Sequence, residues 1–329
     1  MAHGAVIVGP QAPEIADWEK AHFRDADPWG FILFARNVVE PDQLRRLTGD
    51  LREAVGRDAP IMIDQEGGRV QRMRAPHWRE YLPALDQMER ARDPIRAMWL
   101  RNRLIAAELH DVGIDANCAP LADLLEDAAH PVMRNRLYGR DVDTVVQAAR
   151  TCAEAHLAGG VLPILKHIPG YGRATVDSHK ELPTVRVSRK ALEERDFAPF
   201  VALNDMAMGM TAHIVFDAID PGQPATTSTK MMQVIRADIG FDGLIMTDDI
   251  GMDALRGTVP DRAQASLAAG CDLVLHCNGD RTEVEAVAAT AGQMSDAAMA
   301  RAERALAQRK PPVPIDIPAA IAELEALLA

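Results

Sequence analysis

Short apolar runs alternate with amphipathic stretches along almost the whole chain. Residues 5–8, 30–34, 61–63, 114–119, 163–166, 208–213, 244–247 and 273–276 are near-continuous in apolar side chains. That is the pattern of parallel strands buried on both faces. Between them, residues 41–55, 94–112, 142–158, 188–203 and 229–239 read as helices, the last capped at Ser228 or Thr229. Eight strands with intervening helices over 329 residues predict an α/β fold, a single (β/α)8 barrel of the TIM type. The rival, a doubly wound dinucleotide-binding sheet, needs G-x-G-x-x-G after the first strand. Gly9-Pro10-Gln11-Ala12 does not supply it. Residues 1–310 are assigned to the barrel. Residues 311–329, a Pro-rich tail ending in a short helix, are expected to pack on its outside or at a subunit contact.

Composition narrows the range of partners. Hydrophobic residues make up 48% of the chain, enough for a large core. The net charge of −12 argues against nucleic acid, which needs a basic face, but leaves room for a small substrate held by a local basic cluster. Cys118, Cys152, Cys271 and Cys277 form no C-x-x-C pair and are expected to be reduced core residues. The N-terminus lacks a basic and then apolar leader, and no apolar run approaches the roughly 18 residues needed to span a bilayer. A cytoplasmic protein with no membrane partner is expected, monomeric or weakly dimeric.

The polar residues sit where a barrel would place an active site, at the carboxyl ends of the strands. Asp64-Gln65-Glu66-Gly67-Gly68-Arg69-Val70-Gln71-Arg72 follows the third strand, and Asp123 and then Arg136 follow the fourth. Lys166 and His167 end the fifth and His213 the sixth; Asp248 and Asp249 follow the seventh, His276 and Asn278 the eighth. So many charged strand ends point to a polar pocket. Each also has a plainer explanation. Asp64 and Asp249 could cap turns, Glu66 could pair with Arg69 or Arg72, and His213 could be a satisfied strand-end histidine. Arg134, Arg136 and Arg140 cluster in one loop. The densest stretch is Lys166-His167-Ile168-Pro169-Gly170-Tyr171-Gly172 with Asp177-Ser178-His179. There is no H-x-H pair and no H-E-x-x-H, and Lys166 would repel a cation held by Asp177 and His179, so no metal or other cofactor is expected.

These segments resemble glycoside hydrolase family 3, specifically its bacterial β-N-acetylhexosaminidases. The match comprises Asp64 to Arg72, Asn135-Arg136-x-Tyr138-Gly139, the Lys166 to His179 stretch, Thr247-Asp248-Asp249-x-x-Met252 and Gly30 to Asn37, in the family's order over about residues 5 to 280. The resemblance implies a retaining glycosidase that removes terminal, non-reducing β-linked N-acetylglucosamine. Its natural substrate would be a muropeptide fragment in cell-wall recycling. It implies Asp248 as nucleophile and His179 as general acid/base with Asp177 as its partner. Asp64, Arg72, Arg136, Lys166 and His167 would hold the sugar. The chain departs from the family at Tyr171, commonly His, and at Ile168, commonly Phe, which bears on fine specificity rather than reaction class.

Three competing functions stay open at this point. A β-glucosidase of the same family is disfavoured by the Asp177/His179 pair. A phosphorylase is chemically open, because a histidine base would not repel phosphate as a carboxylate would. A non-catalytic sugar-binding barrel is opposed by the presence of Asp248 together with Asp177 and His179. The loop from Gly170 to Asp177 is expected to be mobile and to deliver His179 when substrate binds.

Overall fold

The computed structural model describes residues 2–127, 129–176 and 181–329, leaving aside the side chain of Val132. Its strands, numbered along the barrel, are β1 (Gly4–Val8), β2 (Pro28–Leu33), β3 (Ile61–Ile63) and β4 (Ala116–Asn117). They continue with β5 in two pieces (Leu162–Pro163 and Leu165–Ile168), β6 (Met208–Thr211), β7 (Leu244–Asp249) and β8 (Leu273–His276). Every neighbouring pair is parallel. The first piece of β5 pairs with β4, the second with β6, and β1 pairs with β8. Both edges of the sheet therefore belong to one strand, and the barrel closes. Closure leaves no exposed edge.

The strand interiors are apolar because they are covered twice, by side chains inside the barrel and by helices outside. Ile7, Phe31, Ile61, Met62, Leu244, Leu273 and Val274 are fully buried. Helices Pro41–Val55 and Val142–Ala158 match the expected spans, and helix Pro94–Asp111 ends one residue early. Each opens on an acidic cap: Glu40, Asp141 and Asp93 accept backbone N–H groups of the first turn. Ser228, one of the two expected caps, accepts from the Met231 N–H at 3.0 Å.

Some elements differ from expectation, mostly for local reasons. β4 pairs over two residues only, since the Ala119 N–H turns back onto the Asn117 carbonyl at 2.8 Å. β5 is interrupted at Ile164, whose N–H is taken by the carbonyls of Asn117 and Ala119, next to Pro163, which has none to give. The helix expected over 188–203 breaks into Arg189–Ala191, a π-turn over Leu192–Asp196 and Ala198–Ala202. Pro199 cannot donate to the carbonyl four residues back, and the Phe197 N–H reaches five back to Leu192 instead. A second π-turn, Val234–Asp238, interrupts the helix expected over 229–239, the Ile239 N–H reaching five residues back to the Val234 carbonyl at 2.9 Å.

The C-terminal tail runs into helix Ile317–Leu328, capped by Asp316, which packs on helix Pro94–Asp111. Ala320 and Leu324 face inward, and Glu323 takes the Arg96 guanidinium through both oxygens at 2.7 and 2.8 Å. All four cysteines are free and buried. Among the described residues no helix is long and apolar enough to cross a membrane.

Candidate active site

A cavity of about 430 Å³ opens at the carboxyl ends of the strands. Asp64, Arg72, Arg136, Lys166, His167 and Asp248 all line it. These are six of the eight residues that the sequence singled out. The other two, Asp177 and His179, lie outside the described residues.

Lys166 comes from the second piece of β5 and is 2% exposed. A buried ammonium must be paired. Its Nζ donates to Asp64 Oδ1 at 2.9 Å and lies 2.6 Å from Glu66 Oε1. Asp64, just past β3, also receives Arg72 Nη2 at 3.2 Å. Glu66 takes Arg136 through both oxygens, Nε at 2.9 Å and Nη2 at 2.7 Å. Glu66 thus pairs with Arg136 and Lys166, not with Arg69 or Arg72 as the local sequence suggested. Three cations and two carboxylates interlock, and all of them but Glu66 line the cavity.

The cluster holds its own charge state. Burial alone would push the Glu66 carboxyl up, but Arg136 and Lys166 outweigh it and hold Glu66 at about 2. Burial is likewise overcome at Asp64, which Lys166 and Arg72 keep well below the ordinary carboxylate range. Lys166 is driven above its ordinary value despite burial, by Asp64 and Glu66. The mutual pairing favours the ionised form of each, and ionised groups can bind hydroxyls by charge-assisted hydrogen bonds.

The loop carrying Glu66 requires its glycines. Gly67 and Gly68 have φ of +90° and +63°, and a Cβ on Gly67 would lie 2.0 Å from Arg101 Nη2. Arg101, 1% exposed beneath this loop, donates to the Glu66 carbonyl at 2.5 Å. The peptide that carries the cluster is therefore held from below.

Asp248 sits within β7, which runs two residues further than expected. It is half-buried, and its Oδ1 accepts the Asp249 N–H at 2.8 Å. Among the described residues no cation pairs with it, which separates it from Asp64 and Glu66. Asp249 both lines the cavity and braces its wall, accepting the N–H groups of Gly251 at 3.0 Å and Cys277 at 3.1 Å. Phe34, Met133, Met210, Met252 and Leu275 supply an apolar side. Arg36 stacks over Phe34 at 4.9 Å and donates to Asn278 Oδ1, another lining residue, at 2.9 Å.

Other strand-end residues have supporting places. His213 is buried between the Thr226 hydroxyl at 2.8 Å and the Asp249 carbonyl at 2.9 Å and does not line the cavity. His276 is buried behind the wall, 3.5 Å from Glu283. Of the arginine cluster only Arg136 reaches the cavity; Arg134 is exposed, and Arg140 pairs with Asp127 at the surface. Sequence reasoning noted Asp123 but gave it no role. It is 1% exposed and meets His167 Nδ1 at 2.8 Å. Glu66 was likewise left out of the site.

The loop after β5 is packed over its described part. Tyr171, Gly172 and Ala174 are buried, Arg173 is held by Asp196 at 2.8 Å, and the Tyr171 hydroxyl donates to the Val176 carbonyl at 3.3 Å. A Cβ on Gly172 would collide with the Leu124 carbonyl at 1.8 Å. Residues 170–176 thus form a packed approach to residues 177–180. On the other side, Thr184–Val185 pairs in parallel with Val215–Phe216.

A closed parallel barrel with a cavity of ion-paired cations and carboxylates at its strand ends defines an α/β-barrel enzyme. The family description "Glycosyl hydrolase family 3 N terminal domain" matches residues 12–308. A beta-hexosaminidase from Alkalilimnicola ehrlichii is 37% identical over 286 residues, covering 84% of this chain and 82% of its own. One from Bordetella avium is 35% identical over 285 residues, covering 84% and 81%. Among solved structures, NagZ from Neisseria gonorrhoeae in complex with N-trifluoroacetyl-D-glucosamine superposes with a TM-score of 0.80 at 29% identity, over 100% of this chain and 99% of its own. The chain belongs to glycosyl hydrolase family 3 and is a glycoside hydrolase.

Proposed function

We propose that this enzyme is a retaining β-N-acetylhexosaminidase that removes terminal β-linked N-acetylglucosamine. The observation that carries the proposal is one cavity shared by Asp248, which has no cation partner among the described residues, and by Asp64, Lys166, Arg72 and Arg136, held in ion pairs with one another and with Glu66. Glycoside cleavage passes through an oxocarbenium-like state, which needs an adjacent anion and a proton donor. Asp248 supplies the anion. The fixed charges supply hydrogen bonds that hold the ring and strengthen as it distorts. The hexosaminidase relatives and the NagZ complex with an N-acylated glucosamine support the choice of sugar.

Asp248 attacks the anomeric carbon, forming a carboxylate–sugar ester as the bond to the leaving oxygen breaks. His179 protonates that oxygen, with Asp177 orienting its ring. His179 then takes a proton from water, which cleaves the ester, and the β configuration is restored. The natural substrate proposed is an N-acetylglucosamine-bearing muropeptide fragment. That choice rests on the resemblance of the sequence motifs to bacterial members of the family.

An aryl β-N-acetylglucosaminide is expected to be hydrolysed well, and the matching aryl β-glucoside at least about tenfold more slowly, since loss of a recognised polar substituent leaves its partners unpaired. Preference for the glucoside sinks the choice of sugar. A rate that depends on added phosphate, with a sugar phosphate as product, replaces hydrolysis with phosphorolysis. His179→Ala is expected to slow substrates with poor leaving groups about 100-fold or more, but activated aryl glycosides far less, because only the former need protonation. Equal losses on both remove His179 from the acid role.

A further inference from the structure

Asp123 follows β4, is 1% exposed and does not itself line the cavity. Its carboxylate gathers donors from the segment that ends β5 and begins the next loop. Oδ1 accepts the Tyr171 N–H at 2.6 Å, and the His167 N–H reaches Oδ1 and Oδ2 at 3.4 and 3.3 Å. Oδ2 meets His167 Nδ1 at 2.8 Å. Backbone N–H groups can only donate, and an ionised carboxylate can only accept. A carboxylate already receiving two such donors completes the set with a third, so Nδ1 carries a proton.

In a neutral imidazole one nitrogen donates and the other accepts. With its proton on Nδ1, a neutral His167 carries its lone pair on Nε2, the ring nitrogen that Asp123 does not hold, and His167 lines the cavity. The neighbouring wall is rich in donors: Lys166, Arg72 and Arg136 can only give hydrogen bonds. A sugar hydroxyl both gives and takes; the carboxylates of Asp64, Asp248 and Asp249 accept elsewhere on the wall, and a neutral His167 Nε2 adds an acceptor next to Lys166. Tyr171, pinned by the same carboxylate, places its ring 5.7 Å from the imidazole and limits its rotation.

We propose that Asp123 is a positioning residue that fixes His167 in the Nδ1–H tautomer and makes Nε2 the acceptor for a hydroxyl of the bound sugar. The identity of the ligand rests on the hexosaminidase reading above; the state of the ring does not.

The test uses the full chain labelled with ¹⁵N-histidine, the His167 signals being assigned with His167→Ala. Wild type is expected to show the ¹⁵N pattern of an Nδ1–H imidazole, and Asp123→Asn, whose amide can donate to Nδ1, a shift toward Nε2–H. An Nε2–H ring in the wild type overturns the proposal, and this reading needs no variant of Asp123 to fold. With the aryl glycoside that wild type turns over, Asp123→Asn is expected to lower kcat/KM about 10- to 100-fold. Combined with His167→Ala it should cost no more than His167→Ala alone. Losses that instead multiply in the double variant overturn the proposal, because Asp123 would then act other than through His167. If wild type cleaves no β-N-acetylglucosaminide, the proposed sugar falls, while the ring signature still decides the role of Asp123.

Discussion

Asp248→Ala is expected to cut turnover of an aryl β-N-acetylglucosaminide by about 10⁴-fold or more, because it removes the atom that forms the covalent intermediate. Stability should barely change. Asp248 is half-buried, and among the described residues the contact it loses is one hydrogen bond from the Asp249 N–H at 2.8 Å, which water in the cavity can replace. A change under about 1 kcal/mol follows. Loss of activity without loss of fold separates a nucleophile from a structural carboxylate. A stronger discriminator is rescue by a small anion such as azide. Azide in the vacated space would attack from the face Asp248 used and give an α-linked glycosyl azide. Wild type releases the β-configured sugar first. Substantial residual turnover in Asp248→Ala, or a rescued product with β configuration, would remove Asp248 from the nucleophile's role.

That prediction rests on a residue the sequence could locate, and the reason is topological. Strand ends in a parallel barrel all point one way, so a charge at the end of an apolar run is a charge in the cavity. Asp64, Lys166, His167 and Asp248 are visible by that rule alone. Arg72 and Arg136 sit on loops away from the strand ends and were found only as parts of longer motifs. The rule fails for partnership. Glu66 lies within six residues of both Arg69 and Arg72, yet it binds an arginine 70 positions away. Asp64 and Lys166 are 102 apart. No local pattern encodes which charges meet once the barrel closes.

Asp123 shows the same limit from the other side. It is one acidic residue after an apolar stretch, indistinguishable in sequence from a turn cap, and its value comes from donors 44 and 48 residues away. His213 and His276 lie at or just past strand ends as the rule requires, yet neither lines the cavity: His213 is held by the Thr226 hydroxyl and the Asp249 carbonyl, and His276 lies 3.5 Å from Glu283. The helix over 188–203 was legible in its apolar period. Its π-turn comes with Pro199, a residue easily passed over when neighbouring positions read as helical.

Glu66→Gln tests whether the charged cluster at the cavity is a single unit. The substitution keeps the shape but removes the charge that faces Arg136 through two oxygens and Lys166 through one. It also turns an amide donor toward cations that can only donate. Lys166 is 2% exposed, so its charge cannot retreat to water, and Asp64 alone remains as a nearby counter-charge. Breaking a buried ion pair by removing one partner costs roughly 3–5 kcal/mol, equivalent in a chain of this length to a fall in Tm of about 4–7 °C. Catalysis should fall as well, by about 100-fold in kcat/KM, since Arg136 and Lys166 would lose the geometry that binds the sugar. The pH dependence provides an independent check. Glu66 is held at about 2 in the folded chain, against an ordinary value of 4.5. Its contribution to stability is therefore complete above pH 4.5 and is lost as pH falls toward 2. Wild-type Tm should drop steeply across that window, and Glu66→Gln, already lacking the contribution, should follow a shallower curve. Parallel curves for the two proteins would show that Glu66 gains nothing from its cations, and the cluster would then be a set of separate contacts rather than one interlocked unit.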